Sequence, residues 1–265
     1  MVSRVVCQTL KRTGRLIMDR DELIHSLSRN LGRTAPPPDT PPLSYRHSVH
    51  QQRMQGWDAQ QIMRAFIEYS RTIGVRVVET IKSELNASMA AAVRSLDAHS
   101  ILMSDDFLLK EMETAKVLSS SHQLTVWSAE TPHDEMIRLA SQADVGISVA
   151  RLALAESATV LLGSEAGAGR SVTLLPESAI YIVPAGVILP SLTQAMAWLK
   201  QCYPHRLPAA ITMVSGPSAT SDIELVRVVG VHGPIQIVHM VVTDMVEMVG
   251  CEREFSAFEK GSSRS

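Results

Sequence analysis

The apolar run Ala209-Ala210-Ile211-Thr212-Met213-Val214 changes character abruptly at Ser215-Gly216-Pro217-Ser218-Ala219-Thr220-Ser221-Asp222-Ile223-Glu224. The first half has the length and composition of a buried strand. The second packs four hydroxyl side chains, Gly216 and two carboxylates into ten residues. In an open α/β sheet, ligands bind just beyond the carboxyl ends of the strands, where side chains and free backbone N–H groups converge. Gly216, Ser218, Thr220, Asp222 and Glu224 are therefore candidate ligand-binding residues. Ser221-Asp222-Ile223-Glu224 also fits a capping box, Ser221 accepting the N–H of the third helical residue and Glu224 accepting the Ser221 N–H. Both readings can hold together.

Outward from this stretch, residues 144–149, 158–163, 179–183 and 235–243 are apolar runs bounded by turn signals, and 75–78, 101–103 and 123–127 are shorter strand candidates. Helical spacing separates them. From Asp58, Ile62, Phe66, Ile67 and Ser70 share a face until Gly74 stops the helix. Residues 87–96, 132–143 and 191–203 read as further helices, the last with Leu192, Ala195, Met196 and Leu199 on one side. Strands apolar on both faces that alternate with helices predict an α/β fold, a mostly parallel sheet flanked by helices. An N-terminal helical extension precedes it.

That extension divides by composition. Residues 1–17 carry Arg4, Lys11, Arg12 and Arg15 without an acid, and read as a disordered tail or as sequence upstream of a true start at Met18. Residues 18–56 hold a helix with Leu23, Ile24, Leu27 and Leu31 in register and Gly32 as its stop, then a linker containing Pro36, Pro37, Pro38, Pro41 and Pro42. Residues 57–250 form the α/β domain. Residues 251–265 are a polar tail.

Of the 265 residues, 45% are hydrophobic and 20% charged, with a formal net charge of −2. Such a chain is globular and has no global attraction for nucleic acid. Up to Arg53 nine Lys or Arg face four Asp or Glu, which fits a solvated tail as well as a contact with an acidic partner. Cys7, Cys202 and Cys251 stand singly, without C-x-x-C spacing, so neither a disulfide framework nor a thiolate cluster is expected. The longest apolar run, residues 179–190, is short for the ~20 residues that span a bilayer, and Pro184 interrupts it. A cytoplasmic protein without a membrane span is the expectation.

Three further places can carry chemistry. Glu156 lies where one element ends and the strand 158–163 begins, as a base, a nucleophile or a surface acid at an element end. The loop 163–170 has three glycines and Arg170, a guanidinium able to grip a carboxylate or phosphate; its spacing fits neither a dinucleotide fingerprint nor a P-loop. His232, between Gly230 and Gly233 and just before the last strand, is an accessible imidazole or a turn residue that fixes its own loop. His239, inside that strand, reads as a core histidine. Met213, Met240, Met245 and Met248 read as core filling. No metal-ligand spacing is present, and no G-x-S-x-G elbow. Glu156, Asp222 and His232 are thus the catalytic candidates, and Gly216, Ser218, Thr220, Asp222, Glu224, His232, Gly233 and Arg170 the binding ones.

The blocks Ser215-Gly216-Pro217-Ser218 through Asp222-Ile223-Glu224, Val228-Val229-Gly230-Val231-His232-Gly233-Pro234, Ala155-Glu156 and Leu31-Gly32-Arg33 together resemble the LUD-domain family, within it the lactate-utilisation protein C branch. The resemblance covers roughly residues 18–244. It implies the fold of the glucosamine-phosphate isomerase, ribose-phosphate isomerase and CoA-transferase group. It also implies the third component of a three-protein system that oxidises L-lactate to pyruvate. In that system the iron–sulfur clusters belong to the partners, lactate-utilisation proteins A and B, and this chain carries no cofactor. Its pocket would take a small carboxylate or phosphate, or serve assembly. The other possibility is a self-sufficient enzyme of CoA-transferase or sugar-phosphate isomerase type using Glu156 or Asp222. Where the family often shows Ala-Glu-Thr-Gly, this chain has Ala155-Glu156-Ser157-Ala158, which removes the glycine's backbone freedom from a close-approach site.

Overall fold

The computed structural model describes residues 19–35, 46–164, 167–204, 207–220, 228–230 and 233–247. Two compact units are present, Met1–Ser48 and Val49–Ser265. In the first, α1 (Arg20–Asn30) has Asp21 and Glu22 in its first turn and Arg29 in its last, charges that oppose the helix dipole. It closes at Gly32, φ 71°, with the Arg33 N–H donating to Ser28 O at 2.9 Å.

The second unit opens with α2 (Val49–Gln52) and α3 (Ala59–Thr72). Asp58 caps α3: its Oδ1 accepts the Gln61 N–H at 2.8 Å, and Gln61 Oε1 accepts the Asp58 N–H at 2.9 Å. The chain continues through β1 (Arg76–Thr80), α4 (Leu85–Ser95), β2 (Ser100–Met103), α5 (Phe107–Glu111), α6 (Thr114–Ser119), β3 (Gln123–Val126), α7 (His133–Ser141) and β4 (Val145–Val149). Then come β5 (Leu152–Leu154), β6 (Thr159–Gly163), α8 (Arg170–Leu174), β7 (Ser178–Pro184), β8 (Ile188–Leu189) and α9 (Leu192–Cys202). The described part closes with β9 (Ile211–Val214), β10 (Ala219–Thr220), β11 (Val228–Val229) and β12 (Gln236–Val242).

Six strands form one sheet in the order β1-β12-β7-β4-β2-β3, every neighbouring pair parallel. This is the mostly parallel sheet flanked by helices that the alternation of apolar runs predicts. Its central strands are buried along their length, as a sheet covered on both faces requires. Alternate residues feed two cores. Ile101, Met103, Val145, Ile147, Ile180, Ile182, Val238 and Met240 pack with Leu85, Met89 and Leu109 of α4 and α5. Tyr181, Val183, Ile237 and Val241 face the other way, toward Phe66 and Ile67 of α3 and the strands β5 and β6. Leu102 joins Met136, Ala140 and Val172 on that second face. Connections that lead outward, from β2 to β3, therefore lie on one face; those that return, from β3 to β4 and from β4 to β7, lie on the other.

The structure departs from the expectation at the opening stretch itself. β9 belongs to a second sheet, ordered β8-β5-β6-β9, in which β5 and β6 pair antiparallel, as do β6 and β9. It is the edge strand, and Met213 is 44% exposed instead of filling the core. An apolar run fixes strand character, not which sheet receives it or how deeply. Residues 158–163 likewise became β6 of this second sheet. The short elements β5, α5, α6, β8 and the antiparallel β10–β11 pair had no periodic signal long enough to read. Of the remaining methionines, Met240 is buried and Met245 packs at the core margin, while Met248 lies outside the described residues. Cys202, 2% exposed at the end of α9, is disulfide-bonded, which corrects the reading of three single cysteines.

Candidate functional site

The late turn is a set of mutually satisfied groups. Pairing of Val160 with Val214 across β6 and β9 brings Thr159 beside Ser215, and their hydroxyl oxygens lie 2.6 Å apart. Ser157 Oγ is 2.6 Å from the same Thr159 Oγ1, so three hydroxyls form a chain. Gly216, at φ 86°, turns the backbone against Ile73 at the end of α3; a Cβ there would sit 3.2 Å from Ile73 Cδ1. The Ser218 N–H then donates to Pro234 O at 3.0 Å, the Gly230 N–H donates to Ser218 O at 2.8 Å, and Gly233 lies against the Ser218 side chain. The Gly-Pro-Ser and Gly-Pro blocks therefore meet. Thr220 sits in β10. Asp222, Glu224 and His232, like Ser221, lie outside the described residues.

Glu156 is held at both ends of its carboxylate. Oε1 accepts the Leu192 N–H at the start of α9 at 3.0 Å, and Oε2 is 3.7 Å from Arg53 Nε. A carboxylate at a helix start satisfies an otherwise unpaired N–H and meets the positive end of the helix dipole. Two residues on, fully buried Ala158 takes φ 48°, the left-handed conformation that glycine adopts without penalty. The turn has kept the shape a glycine would favour and carries alanine in it.

A second constellation crosses the main sheet, from the middle of β12 and β7 to the carboxyl ends of β4 and β2. Register places His239 of β12 beside Tyr181 of β7, and Tyr181 beside Ser148 of β4. Met103 pairs with Ile147, so the next step sets Ser104 beside Ser148, and the Ser104 N–H donates to Ile147 O at 2.9 Å. One polar row thus crosses four adjacent buried strands. Among the described residues, the buried side-chain atoms without a hydrogen-bond partner are Ser104 Oγ, Ser148 Oγ and His239 Nε2, all in this row. Tyr181 OH donates to Thr173 O at 3.1 Å, and burial raises the phenol's pKa. His239 stacks on Phe66 with ring centroids 5.1 Å apart, has Nδ1 3.0 Å from Ser70 Oγ, and is pushed by burial to a pKa of about 3. It is a neutral core imidazole with one nitrogen unmatched.

Just beyond Ser104 and Ser148, the loops leaving β2 and β4 are tied together. Arg151 Nη1 lies 3.3 Å from Asp106 Oδ2, while Asp106 Oδ1 accepts the Leu108 N–H at 2.9 Å and so caps α5. The Asp105 carboxylate is paired with Lys110 at 2.8 Å, and its N–H donates to Gly167 O at 2.7 Å. A Cβ on Gly167 would come within 2.4 Å of Asp105 O, and one on Gly169 within 2.5 Å of the Trp127 indole, so glycines let this loop lie on its neighbours. Arg170 starts α8 here, exposed and, among the described residues, without an ion-pair partner. No hydrogen bond or ion pair joins Arg170 to Ser218 or Glu156. A cavity of about 630 Å³ lies between α3 and the ends of β1 and β12, lined by Met63, Arg64, Glu79, Thr80 and Thr243 and by none of the sequence-derived candidates. Ser104, Ser148, Asp106 and Arg151 went unnoticed in the sequence because none belongs to a motif and only register brings them together. The one available signal was Ser104-Asp105-Asp106, directly after a strand.

Among the described residues, no group of three or more His, Cys, Asp or Glu is placed to hold a metal ion, and no helix is long and apolar enough to cross a membrane. The LUD domain family model matches residues 63–242. The protein YkgG of Escherichia coli K12, described as uncharacterized, is 34% identical over 85% of this chain and 99% of its own length. Lactate utilization protein C of Bacillus licheniformis is 31% identical over 88% of this chain and 99% of itself, and that of Geobacillus sp. WCH70 is 32% identical over 89% and 100%. The crystal structure of a DUF162 family protein from Deinococcus radiodurans superposes with a TM-score of 0.55 at 20% identity, over 71% of this chain and 99% of that one, and shows the shared fold. A parallel sheet of this order, the joined Gly-Pro-Ser and Gly-Pro turns and the match across most of the chain lead to one conclusion: the chain belongs to the LUD-domain family.

Proposed function

We propose that this chain serves lactate utilisation, as the component without its own cluster in a three-protein, iron–sulfur-dependent system that oxidises L-lactate to pyruvate. The observation that carries the reading is its likeness to proteins named lactate utilization protein C, at 31–32% identity across nearly their whole length. Oxidising a 2-hydroxy acid removes two electrons and two protons. Three cysteines, one of them Cys202 in a disulfide, fall short of the four thiolates a cluster needs, so the electrons pass to partner subunits, lactate-utilisation proteins A and B. This chain's share is to bind a small carboxylate or phosphate, or to hold the assembly together, in the cytoplasm. The alternative of a self-sufficient acyl-transfer or isomerase enzyme has less behind it, because the Glu156 carboxylate is occupied at the start of α9.

The test is genetic and biochemical together. Deleting the gene in its native host should abolish growth on L-lactate and leave growth on pyruvate unchanged, and the tagged chain from lactate-grown cells should bring down two iron-containing proteins. A deletion strain that grows normally on L-lactate would overturn the reading. Acyl exchange or aldose–ketose conversion by the purified chain, lost in Glu156→Ala, would establish the alternative.

A further inference from the structure

Ser104 and Ser148 stand side by side at the carboxyl ends of β2 and β4, one register step past the Met103–Ile147 pair, 2% and 3% exposed. Neither hydroxyl has a hydrogen-bond partner among the described residues. A buried polar group left unmatched forfeits its hydration with no return, so two adjacent ones call for an explanation. The strand order supplies the context. The connection leaving β2 passes to one face of the sheet and the connection leaving β4 to the other, and in open α/β sheets the crevice at such a reversal is where ligands bind.

The charges nearby indicate what sort of ligand. The acids on the two loops are already matched, Asp105 by Lys110 and Asp106 by Arg151. Arg170 follows Gly169, which packs on Trp127 beside Ser104, and has no counter-ion among the described residues. Two adjacent hydroxyl donors, with the uncompensated Arg170 on the loop that packs against Asp105, suit an anion with two acceptor oxygens.

We propose that Ser104 and Ser148 bind the carboxylate of a small organic acid, each hydroxyl donating to one oxygen, with Arg170 supplying the attraction that draws the acid in. Both hydroxyls are covered in the free chain, so binding parts the Arg151–Asp106 pair that ties the two loops. Asp106 keeps its bond from the Leu108 N–H. The inference rests on the lactate-utilisation reading only in its choice of first probe.

Thermal melting of the purified full chain with sodium L-lactate, pyruvate, acetate, phosphate or chloride at matched ionic strength tests it. The parent should be stabilised by at least one carboxylate beyond the chloride control. Ser104→Ala and Ser148→Ala should melt no lower than the parent without ligand, yet each should raise the carboxylate Kd about tenfold. Arg170→Gln, on an exposed side chain, should weaken binding several-fold and keeps the test open if an alanine variant fails to fold. Alanine variants that melt lower but respond like the parent would assign the hydroxyls to structure and overturn the proposal. So would a parent that responds to no carboxylate, or to phosphate alone. Growth of the deletion strain decides the lactate reading separately: a site that binds acetate in a protein dispensable on L-lactate would retain this inference and discard that role.

Discussion

Two hydroxyl groupings in this molecule invite comparison. Around the late turn, Ser157 and Thr159 at the start of β6 meet Ser215, 56 residues on, and every hydroxyl is within 2.6 Å of another. At the ends of β2 and β4, Ser104 and Ser148 each follow an apolar run, and neither has a hydrogen-bond partner among the described residues. Hydroxyls that meet across the paired strands of the second sheet satisfy one another. Isolation inside strands buried on both faces marks where they cannot. The unmatched groups are the ones with hydrogen bonds still to offer a ligand, and local sequence composition draws attention away from them.

Acid should have the largest effect on the polar row. Burial holds His239 at a pKa of about 3 against 6.5 in an exposed chain, so below pH 6.5 the unfolded state takes up a proton that the native state refuses. The stability present above pH 6.5 should therefore fall as pH drops toward 3, by at most about 5 kcal/mol. Urea midpoints across that range would show it, and His239→Leu should flatten the slope. An unchanged slope would remove the imidazole from the account of acid sensitivity.

Next in size, Thr159→Val should cost about 1–3 kcal/mol, because it breaks two hydrogen bonds and strands two partners. Equilibrium unfolding would measure it; a cost near zero would erase the contrast between the two groupings. Ala158→Gly should do the opposite and raise stability by about 1 kcal/mol, since φ 48° penalises a side chain. An unaltered melting temperature would mean that packing of the buried Ala158 methyl offsets the strain. Smallest of all, Ser148→Ala should change the stability of the ligand-free chain by less than about 0.5 kcal/mol, as an unmatched hydroxyl contributes little.

Elements with a long, unambiguous signal were legible. Asp58 and Gly74 bracket α3 as cap and stop, and the runs that became β4, β7 and β12 are apolar enough to demand burial on both faces. Ser218 and Gly233 were both picked out from turn blocks at strand ends, and the structure sets them against each other. Glu156 shows the limit. Its position at an element junction was readable, but the N–H it accepts belongs to Leu192, 36 residues on, and only folding brings that group to it. Arg170 was picked out for its glycine-rich loop, and the structure sets it with Asp105 and Trp127, not with the late turn.

The sequence by itself determined the longer helices and strands, that most strands would be parallel, and the family to which the chain belongs, because periodicity, caps and motif blocks are local properties of the chain. Tertiary structure alone decided that β9 lies at the edge of a second sheet, that His239, Tyr181, Ser148 and Ser104 form one row, and which hydroxyls end without partners. Register and burial depend on residues far apart in the chain, and a hydrogen bond is satisfied or left open only by what the fold places within about 3 Å of it.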